Sequence, residues 1–289
     1  MAKFGLSQPL RRVEDPRLLK GGGRYTDDLV PHGVAAGAAI GHILRSPHAH
    51  ARILSIDTET AKAIPGVLAI LTAADWKSEG LGEIACAIPM KNRDGTPRGD
   101  TPRPALADGF VRHVGDPVAF IVAETHGAAR DAAEAIEVDY ETLPSVTDLA
   151  TATDPGQPLV WPAIAKNIVF DWETGDAAET DRLFAQAAHV TRLTIVNNRI
   201  VVASMEGRAA LAEYDPATGR FTLHAGTQGS WPLKSTLAGV FGIPEEKLRV
   251  VTPDVGGGFG MKIFTYPEYG LCMMAARRLG RPVRWTSER

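Results

Sequence analysis

Residues 226–262, GTQGSWPLKSTLAGVFGIPEEKLRVVTPDVGGGFGMK, form the most informative stretch of the chain. In order, the stretch predicts a loop, a helix over 233–241, a strand over 248–252 and a glycine-rich loop. Glycines that follow a strand let backbone N–H groups approach an anionic ligand closely. Taken alone, however, such a run is more often a tight, close-packed turn that binds nothing. The wider sequence must decide between these two interpretations.

The glycine loop does not match the two familiar phosphate-binding motifs. The dinucleotide motif needs glycines at its first, third and sixth positions, and counting from Gly256 the sixth position is Met261. The P-loop needs Gly-Lys-Ser/Thr, whereas Lys262 follows Met261 and precedes Ile263. The pattern therefore favours neither a Rossmann site nor a nucleoside triphosphate site.

Interleaved strand and helix patterns surround this stretch, without a regular repeat. Towards the N-terminus we predict strands over 34–44, 51–57, 67–72, 117–123 and 137–140, and helices over 58–64 and 126–136. Residues 1–32 predict an extended arm, and the proline-rich residues 77–110 predict a long surface excursion. Beyond residue 166 we predict helices over 176–188 and 267–279, a long strand over 189–198, a hairpin of 209–214 with 220–225, and a strand from 282.

A shift to Pro, Thr and Ala over 148–166 indicates a linker, so the chain divides into four parts. These are an arm (1–19), a first domain (20–147), the linker (148–166) and a second domain (167–289). A strand from 282 would have only a few residues and no partner after it. We therefore expect a truncated reading frame, a split subunit or a sequence fragment.

Composition excludes several classes of protein. The 289 residues are 44% hydrophobic and 22% charged, as in ordinary globular domains, and the net charge of -3 comes without the basic stripe that nucleic-acid binding needs. Cys86 and Cys272 lie far apart, so any iron–sulfur cluster must belong to another chain or to missing sequence. The polar N-terminus is not a signal peptide, and no apolar run approaches the ~20 residues of a membrane span. We therefore expect a cytoplasmic protein that contacts neither nucleic acid nor membrane.

The long stretch resembles the large subunit of the molybdenum hydroxylases, the xanthine dehydrogenase/aldehyde oxidase/carbon monoxide dehydrogenase family. The resemblance rests on Thr227-Gln228, Gly242-Ile-Pro, and the run 256–260 followed by Lys262. RSPHAHARI (45–53) and VGDPV (114–118) resemble the family's hammerhead domain, and NNR (197–199) and MEGR (205–208) resemble the start of its molybdopterin-binding domain. The implied fold is α+β, with an N-terminal α/β hammerhead domain followed by the start of an α+β molybdopterin-binding domain.

The resemblance also implies a cofactor site. Gln228 would donate a hydrogen bond to an oxygen ligand of molybdenum without itself binding the metal. Gly257, Gly258, Phe259 and Gly260 would lie against the pterin and the open face of the metal. The family's catalytic glutamate lies near the C-terminus of a much longer chain, so no catalytic residue is assigned and the isolated chain is expected to be inactive.

The implied reaction is hydroxylation of an aldehyde or N-heterocycle, with water as the source of oxygen. A purine is disfavoured, because Ile263 occupies the position where xanthine-oxidising relatives carry a carboxylate. The alternatives are a carbon monoxide dehydrogenase large subunit and a non-catalytic fragment or assembly module. The implied cofactor is molybdenum on molybdopterin in its cytosine dinucleotide form. The implied partners are an FAD-binding medium subunit, an iron–sulfur small subunit and the remaining large-subunit polypeptide.

Several other polar residues have simpler interpretations than chemistry. His48 and His50 have no third metal ligand nearby. Glu206 is expected to pair with Arg208. Glu268 is expected in the first turn of a helix, where a negative charge stabilises the helix. One group of basic residues is expected to form a solvated helix end: Arg277, Arg278 and Arg281.

Overall fold

The computed structural model describes residues 11–30, 35–86 and 91–288. Its strands are β1 (Ala39–Arg45), β2 (Ala51–Asp57), β3 (Val67–Leu71), β4 (Phe110–Val111), β5 (Pro117–Ala123), β6 (Glu137–Thr142), β7 (Ala209–Asp215), β8 (Arg220–Ala225), β9 (Leu248–Val251) and β10 (Val283–Thr286). Its α-helices are α1 (Asp15–Leu18), α2 (Glu59–Lys62), α3 (Ala73–Ser78), α4 (His126–Ala135), α5 (Ala177–Gln186), α6 (Ser230–Phe241) and α7 (Pro267–Leu279). The predicted α+β class is confirmed.

The described strands form two sheets, and the larger one is built from both halves of the chain. Its order is β3-β5-β1-β10-β7-β8-β9, while β4-β2-β6 forms a small sheet beside it. Strand β10 pairs parallel with β1 and antiparallel with β7. The expectation concerned only partners after this strand and did not foresee that earlier strands would pair with it on both sides. Its partners precede it in sequence, and Val283 is fully buried between them.

Helix α7 fills the main core on one face of the large sheet. Pro267 occupies its first turn, where a missing N–H costs nothing, and Gly280 ends it in the left-handed conformation (φ 62°). Between these ends the helix is buried on all sides from Pro267 to Ala276. The approach to α3 is close enough that a Cβ on Gly270 would lie 2.8 Å from the Trp76 ring. A helix buried on all sides is typical of this central position.

Helix α4 packs on the opposite side through small residues. Thr125 caps its N-terminus by accepting the N–H of Ala128 at 3.1 Å. Buried alanines on α4 then contact Ile121 of β5. Alanine brings the helix backbone close to the sheet and also has the highest helix propensity, so one composition serves both needs.

Several predicted elements are confirmed. Strands β2 and β5 and helix α7 have the predicted bounds, and β7 and β8 form the predicted hairpin about the turn at 215–219. Helices α2, α4, α5 and α6 and strands β3, β6 and β9 end within a few residues of their predicted limits.

The predicted strand over 189–198 is wrong. The structure has no strand there, and its alternating apolar side chains are exposed, Leu193 at 80% and Ile195 at 76%. A strand needs a neighbour for its N–H and C=O groups, and no described strand pairs with this segment. The period-2 pattern identified side chains suited to a sheet face but could not supply that neighbour.

Predictions about the irregular segments need smaller corrections. The arm is not wholly extended, because it contains α1 and a 3-10 turn at Thr26–Asp28. The strand predicted from 34 begins only at Ala39. The surface excursion over 77–110 contributes buried side chains to the core: Leu81, Ile84 and Leu106. Residues 1–10, 31–34 and 87–90, which these predictions also covered, lie outside the described residues.

The basic end of α7 is not simply solvated, as had been expected. Arg277 pairs with Glu79 at 2.6 Å, and Arg278 pairs with Asp75 at 2.8 Å. Arg281 reaches Glu124 at 2.8 Å. These contacts tie the end of α7 to residues that follow β3 and β5.

Among the residues that the structure covers, no helix combines the length and apolarity needed to cross a membrane.

Candidate cofactor-binding site

Between β9 and α7, the glycine loop needs glycine at four positions for two different reasons. Gly257 (φ 94°) and Gly260 (φ 85°) adopt left-handed backbone conformations that favour glycine. A Cβ on Gly256 would lie 2.5 Å from Cβ of Glu206, and one on Gly258 would lie 2.4 Å from Oε1 of Gln228. The run of glycines is therefore a consequence of close approach as well as of backbone curvature.

Gln228, after β8, is held against this loop. Its backbone N–H donates to the carbonyl of Lys262 at 3.0 Å, and its Oε1 accepts the N–H of Gly260 at 2.9 Å. The hydroxyl of Thr227 also donates to the Lys262 carbonyl at 3.0 Å. The side chain of Gln228 is exposed, and its NH2 group has no acceptor among the described residues. The amide is thus fixed through its oxygen and retains its donors.

Three consecutive N–H groups of the loop are also uncommitted. Within the described part of the chain, the N–H groups of Gly257, Gly258 and Phe259 donate to no acceptor, whereas that of Gly260 is used by Gln228. Phe259 has a positive φ of 46°, and the residue is 78% exposed. A non-glycine residue in this conformation is strained, and such strain tends to occur at binding sites. Consecutive free N–H groups form a concave surface suited to an anion or a polar oxygen.

A buried ion pair lies beneath the loop. Lys262 is fully buried, and its Nζ lies 2.6 Å from Oε2 of Glu206. The same oxygen accepts the N–H of Gly256 at 2.7 Å. The predicted pairing of Glu206 with Arg208 was therefore wrong. The partner of Glu206 is Lys262, 56 positions away, and no local pattern indicates this pairing. The only signal in the sequence is a lysine that closely follows the glycines of the loop, where a buried ammonium would need an acidic partner.

Arg208 instead joins a second buried cluster. Glu268, only 2% exposed, accepts from Arg45 at 2.9 Å and from Arg208 at 3.1 Å. The guanidinium of Arg208 also lies 3.8 Å from the centre of the Tyr266 ring. Burial opposes the charge on Glu268, but the charge and hydrogen bonds of Arg208, with the hydrogen bond from Arg45, lower the pKa of its carboxyl. Glu268 lies in the first turn of α7 as predicted, and it is a paired anion rather than a free base.

The arm is hydrogen-bonded to Asp254, two residues before the glycine loop; these contacts are called the strap. The carboxylate of Asp254 accepts hydrogen bonds from both terminal nitrogens of Arg17, at 2.6 and 2.7 Å, and from the backbone N–H of Arg24 at 2.8 Å. The hydrogen bond from Arg17, followed by that from Arg24, lowers the pKa of Asp254 to about 2. Sequence reasoning missed this contact because it joins residues 237 positions apart.

The remaining candidates lie elsewhere. The ring of His48 packs on Tyr140 at 4.9 Å, and Nδ1 of His50 lies 2.9 Å from the carbonyl of Pro144. The described ranges hold no group of three or more acidic, histidine or cysteine side chains able to bind a metal ion. Ile263 follows the loop and is half exposed.

Two family models match the chain. Residues 20–144 match the aldehyde oxidase and xanthine dehydrogenase a/b hammerhead domain. Residues 160–289 match the molybdopterin cofactor-binding domain.

Known proteins and solved structures are similar to this chain over nearly its whole length. The carbon monoxide dehydrogenase large chain of Afipia carboxidovorans is 37% identical over 99% of this chain and 35% of its own length. The nicotine 6-hydroxylase large subunit of Paenarthrobacter nicotinovorans is 34% identical over 96% of this chain and 33% of its own. The structure of quinoline 2-oxidoreductase from Pseudomonas putida 86 superposes with a TM-score of 0.86 at 38% identity, covering 96% of this chain and 34% of that one. The chain spans about a third of the length of these relatives.

Proposed function

The chain belongs to the large-subunit family of the molybdenum hydroxylases, with a hammerhead domain followed by the start of a molybdopterin-binding domain. On that premise we propose that it forms part of the catalytic subunit of a molybdopterin-dependent oxidoreductase. The substrate would be an aldehyde or an N-heterocycle, hydroxylated with oxygen from water. When bound, the cofactor supplies the two-electron oxidation chemistry, and the protein supplies placement and hydrogen bonds.

The observation that carries this proposal is the set of uncommitted donors around Gln228. Its NH2 group and the N–H groups of Gly257, Gly258 and Phe259 all lack acceptors within the described residues. A neutral amide can polarise an oxygen ligand without adding a competing charge. The absent Cβ of Gly258 leaves the space in which Gln228 lies. These residues fit a cofactor that presents oxygen and other acceptor atoms, with Gln228, Gly257, Gly258, Phe259 and Gly260 holding it.

Ile263 supports the choice of substrate class. It follows Lys262 where a carboxylate would be needed to orient a purine, and an isoleucine offers no hydrogen bond. Aldehydes and apolar heterocycles have no such requirement. Carbon monoxide is the second candidate substrate, favoured by the likeness to the carbon monoxide dehydrogenase large chain.

Electrons from this site would leave through other chains. A cluster with two or four irons needs about four thiolate or imidazole ligands. This sequence has two cysteines, of which Cys272 is fully buried, and the described residues hold no group of three or more His, Cys, Asp or Glu side chains able to bind a metal ion. We therefore propose partners of two kinds, an iron–sulfur small subunit and an FAD-binding medium subunit, together with further large-subunit polypeptide. The cytosine dinucleotide form of the pterin and a cytoplasmic location belong to the same proposal.

The experiment is purification from the native host, with metal and nucleotide analysis and identification of all co-purifying chains by mass. Molybdenum with cytidine nucleotide, flavin and iron is the expected result. Dye reduction with aldehydes, N-heterocycles and carbon monoxide would then identify the substrate. A chain that carries neither molybdenum nor nucleotide would overturn the proposal and favour a non-catalytic fragment or assembly module.

A variant tests the role of the amide directly. Gln228→Ala removes the donor, and kcat per molybdenum should fall by about 10²-fold, the usual cost of losing one preorganised donor. Gln186→Ala, on the exposed surface of α5, is the matched control and should leave kcat unchanged. Equal activity of the two variants would exclude Gln228 from the site.

A further inference from the structure

The buried pair of Lys262 and Glu206 differs from the buried cluster around Glu268 because it connects residues of the glycine loop. Lys262 is fully buried and the Glu206 side chain is 14% exposed, whereas the Arg281–Glu124 pair is 30% and 47% exposed. A buried ammonium is costly unless it is paired and hydrogen-bonded. Among the described residues, the carboxylate of Glu206 is the only acceptor of the Lys262 ammonium. The structure thus bears an electrostatic cost at this position.

One carboxylate oxygen of Glu206 joins the two ends of the loop. Its Oε2 accepts the N–H of Gly256, the first glycine, at 2.7 Å and the ammonium of Lys262 at 2.6 Å. The backbone N–H of Glu206 donates to the carbonyl of Gly256 at 3.2 Å. Glu206 itself is anchored by Ser204, whose hydroxyl donates to the Glu206 carbonyl at 2.7 Å. A single side chain therefore links the first glycine of the loop to Lys262.

The other end of Lys262 reaches the candidate site. Its carbonyl accepts the N–H of Gln228 and the hydroxyl of Thr227, both at 3.0 Å. The amide oxygen of Gln228 in turn accepts the N–H of Gly260. A closed path of hydrogen bonds therefore runs from Glu206 through Lys262 to Gln228 and back to the loop.

We infer that Glu206 and Lys262 are positioning residues, whose ion pair fixes the glycine loop and, through the Lys262 carbonyl, the amide of Gln228. The inference rests on the proposed function for its effect on catalysis, but the fixing of the loop stands without it. A displacement of a reacting group by about 1 Å can lower a rate by about 10²-fold, so a small release of the loop should appear in kcat. Neither residue needs to contact substrate.

The test compares Glu206→Gln, Lys262→Met and the double variant with the control Glu124→Gln, in the protein with its native co-purifying chains. Glu206→Gln keeps an acceptor for Gly256 but leaves the lysine charge unpaired. The double variant removes both charges and should recover the melting temperature. If the pair positions the loop, the double variant still shows faster amide exchange over 256–263, about tenfold lower kcat per molybdenum and an altered Mo(V) resonance spectrum.

Recovery of loop protection and of kcat together with the melting temperature would overturn the inference, because the pair would then serve stability alone. Thr227→Val covers the case in which the charge variants fail to fold. It removes the bond to the Lys262 carbonyl, and with it the bond that the N–H of Gly229 donates to the same hydroxyl, without altering any charge. Exchange over 256–263 should increase. Unchanged exchange in that variant would also overturn the inference. A wild-type protein without molybdenum would defeat the proposed function, and amide exchange would still decide the role of the pair.

Discussion

At the residue scale, the absence of a side chain on Gly258 leaves the space that the Gln228 side chain occupies. A methyl group there would lie 2.4 Å from Oε1 and 2.7 Å from Cδ of Gln228, closer than real contacts allow. Because the loop is held on both sides, the amide must move. We expect Gly258→Ala to lower kcat per molybdenum in dye-reduction assays while the chain remains folded.

The matched control is Gly239→Ala on α6. A Cβ there meets nothing within 4 Å, and alanine should stabilise the helix by about 1 kcal/mol. Thermal melts of both variants separate the two effects. Full activity in Gly258→Ala would show that Gln228 tolerates displacement.

The candidate site was predictable from sequence only where its residues are neighbours in the chain. The resemblance identified Gln228 and the four residues 257–260, and the structure brings all five together. Their role in binding the cofactor stays a prediction. The pairs beneath them were missed, because Glu206 was assigned to Arg208 by proximity in sequence. Long-range ion pairs depend on which elements meet, and this information is not present in a local pattern.

At the scale of elements, Glu268 links three separate parts of the fold. It lies at the start of α7 and accepts from Arg45 at the end of β1 and from Arg208 just before β7. Removing one member of a buried ionic cluster typically costs about 3–5 kcal/mol, because the remaining charges lose their partner. We expect Glu268→Gln to lower the free energy of unfolding by that amount in urea titrations.

Glu179→Gln on the surface of α5 removes an exposed ion pair with Arg182 and should have no measurable effect on the free energy of unfolding. A Glu268→Gln variant as stable as Glu179→Gln would show that the cluster contributes nothing to holding β1, β7 and α7 together.

The strap between the arm and Asp254 should depend on pH. The pKa of Asp254 is lowered from 3.8 to about 2, so the folded state favours the charged carboxylate. The resulting stabilisation is present above pH ~4 and is lost as pH falls towards about 2. Pepsin should therefore cleave the arm near residue 20 faster at pH 2 than at pH 4, beyond its own change in activity on an unfolded peptide. Asp254→Asn should remove that dependence, and if cleavage of this variant keeps the wild-type profile, the strap does not control access.

Elements were predictable where local chemistry agrees with tertiary context. Helix α7 has proline at its start and glycine after its end, and β5 is a continuous apolar run, so both were predicted with correct bounds. The segment 189–198 has an equally clear alternation but forms no strand, because pairing depends on an edge supplied by another part of the molecule. The central place of β10 could not be predicted from its few residues for the same reason.

At the scale of the whole molecule, the two family domains share a sheet. Strands β1 and β5 come from the hammerhead part, β7 to β10 come from the molybdopterin-binding part, and β10 joins them. The division at 148–166 stays a prediction about the chain, but the sheet predicts a single unfolding unit. Val283→Ala in β10 should destabilise β5 and β8 equally, by about 1–3 kcal/mol in native-state hydrogen exchange.

Val13→Ala, in the exposed arm, is the control and should change neither strand. Unequal effects on β5 and β8 would show that the two parts unfold independently despite the continuous sheet.

The parallel pairing of β1 with β10 also has a consequence for biosynthesis. Ala39 pairs with Val283, so one edge of β1 must wait for about 240 further residues to leave the ribosome. At about 5–20 residues per second, that wait lasts roughly 12–50 s. Throughout it, a nascent chain with β1, β3 and β5 already paired would present an open apolar strand edge, a template for association with other chains. Chaperones that bind exposed apolar segments should therefore engage this polypeptide during translation, and their release should coincide with the emergence of β10.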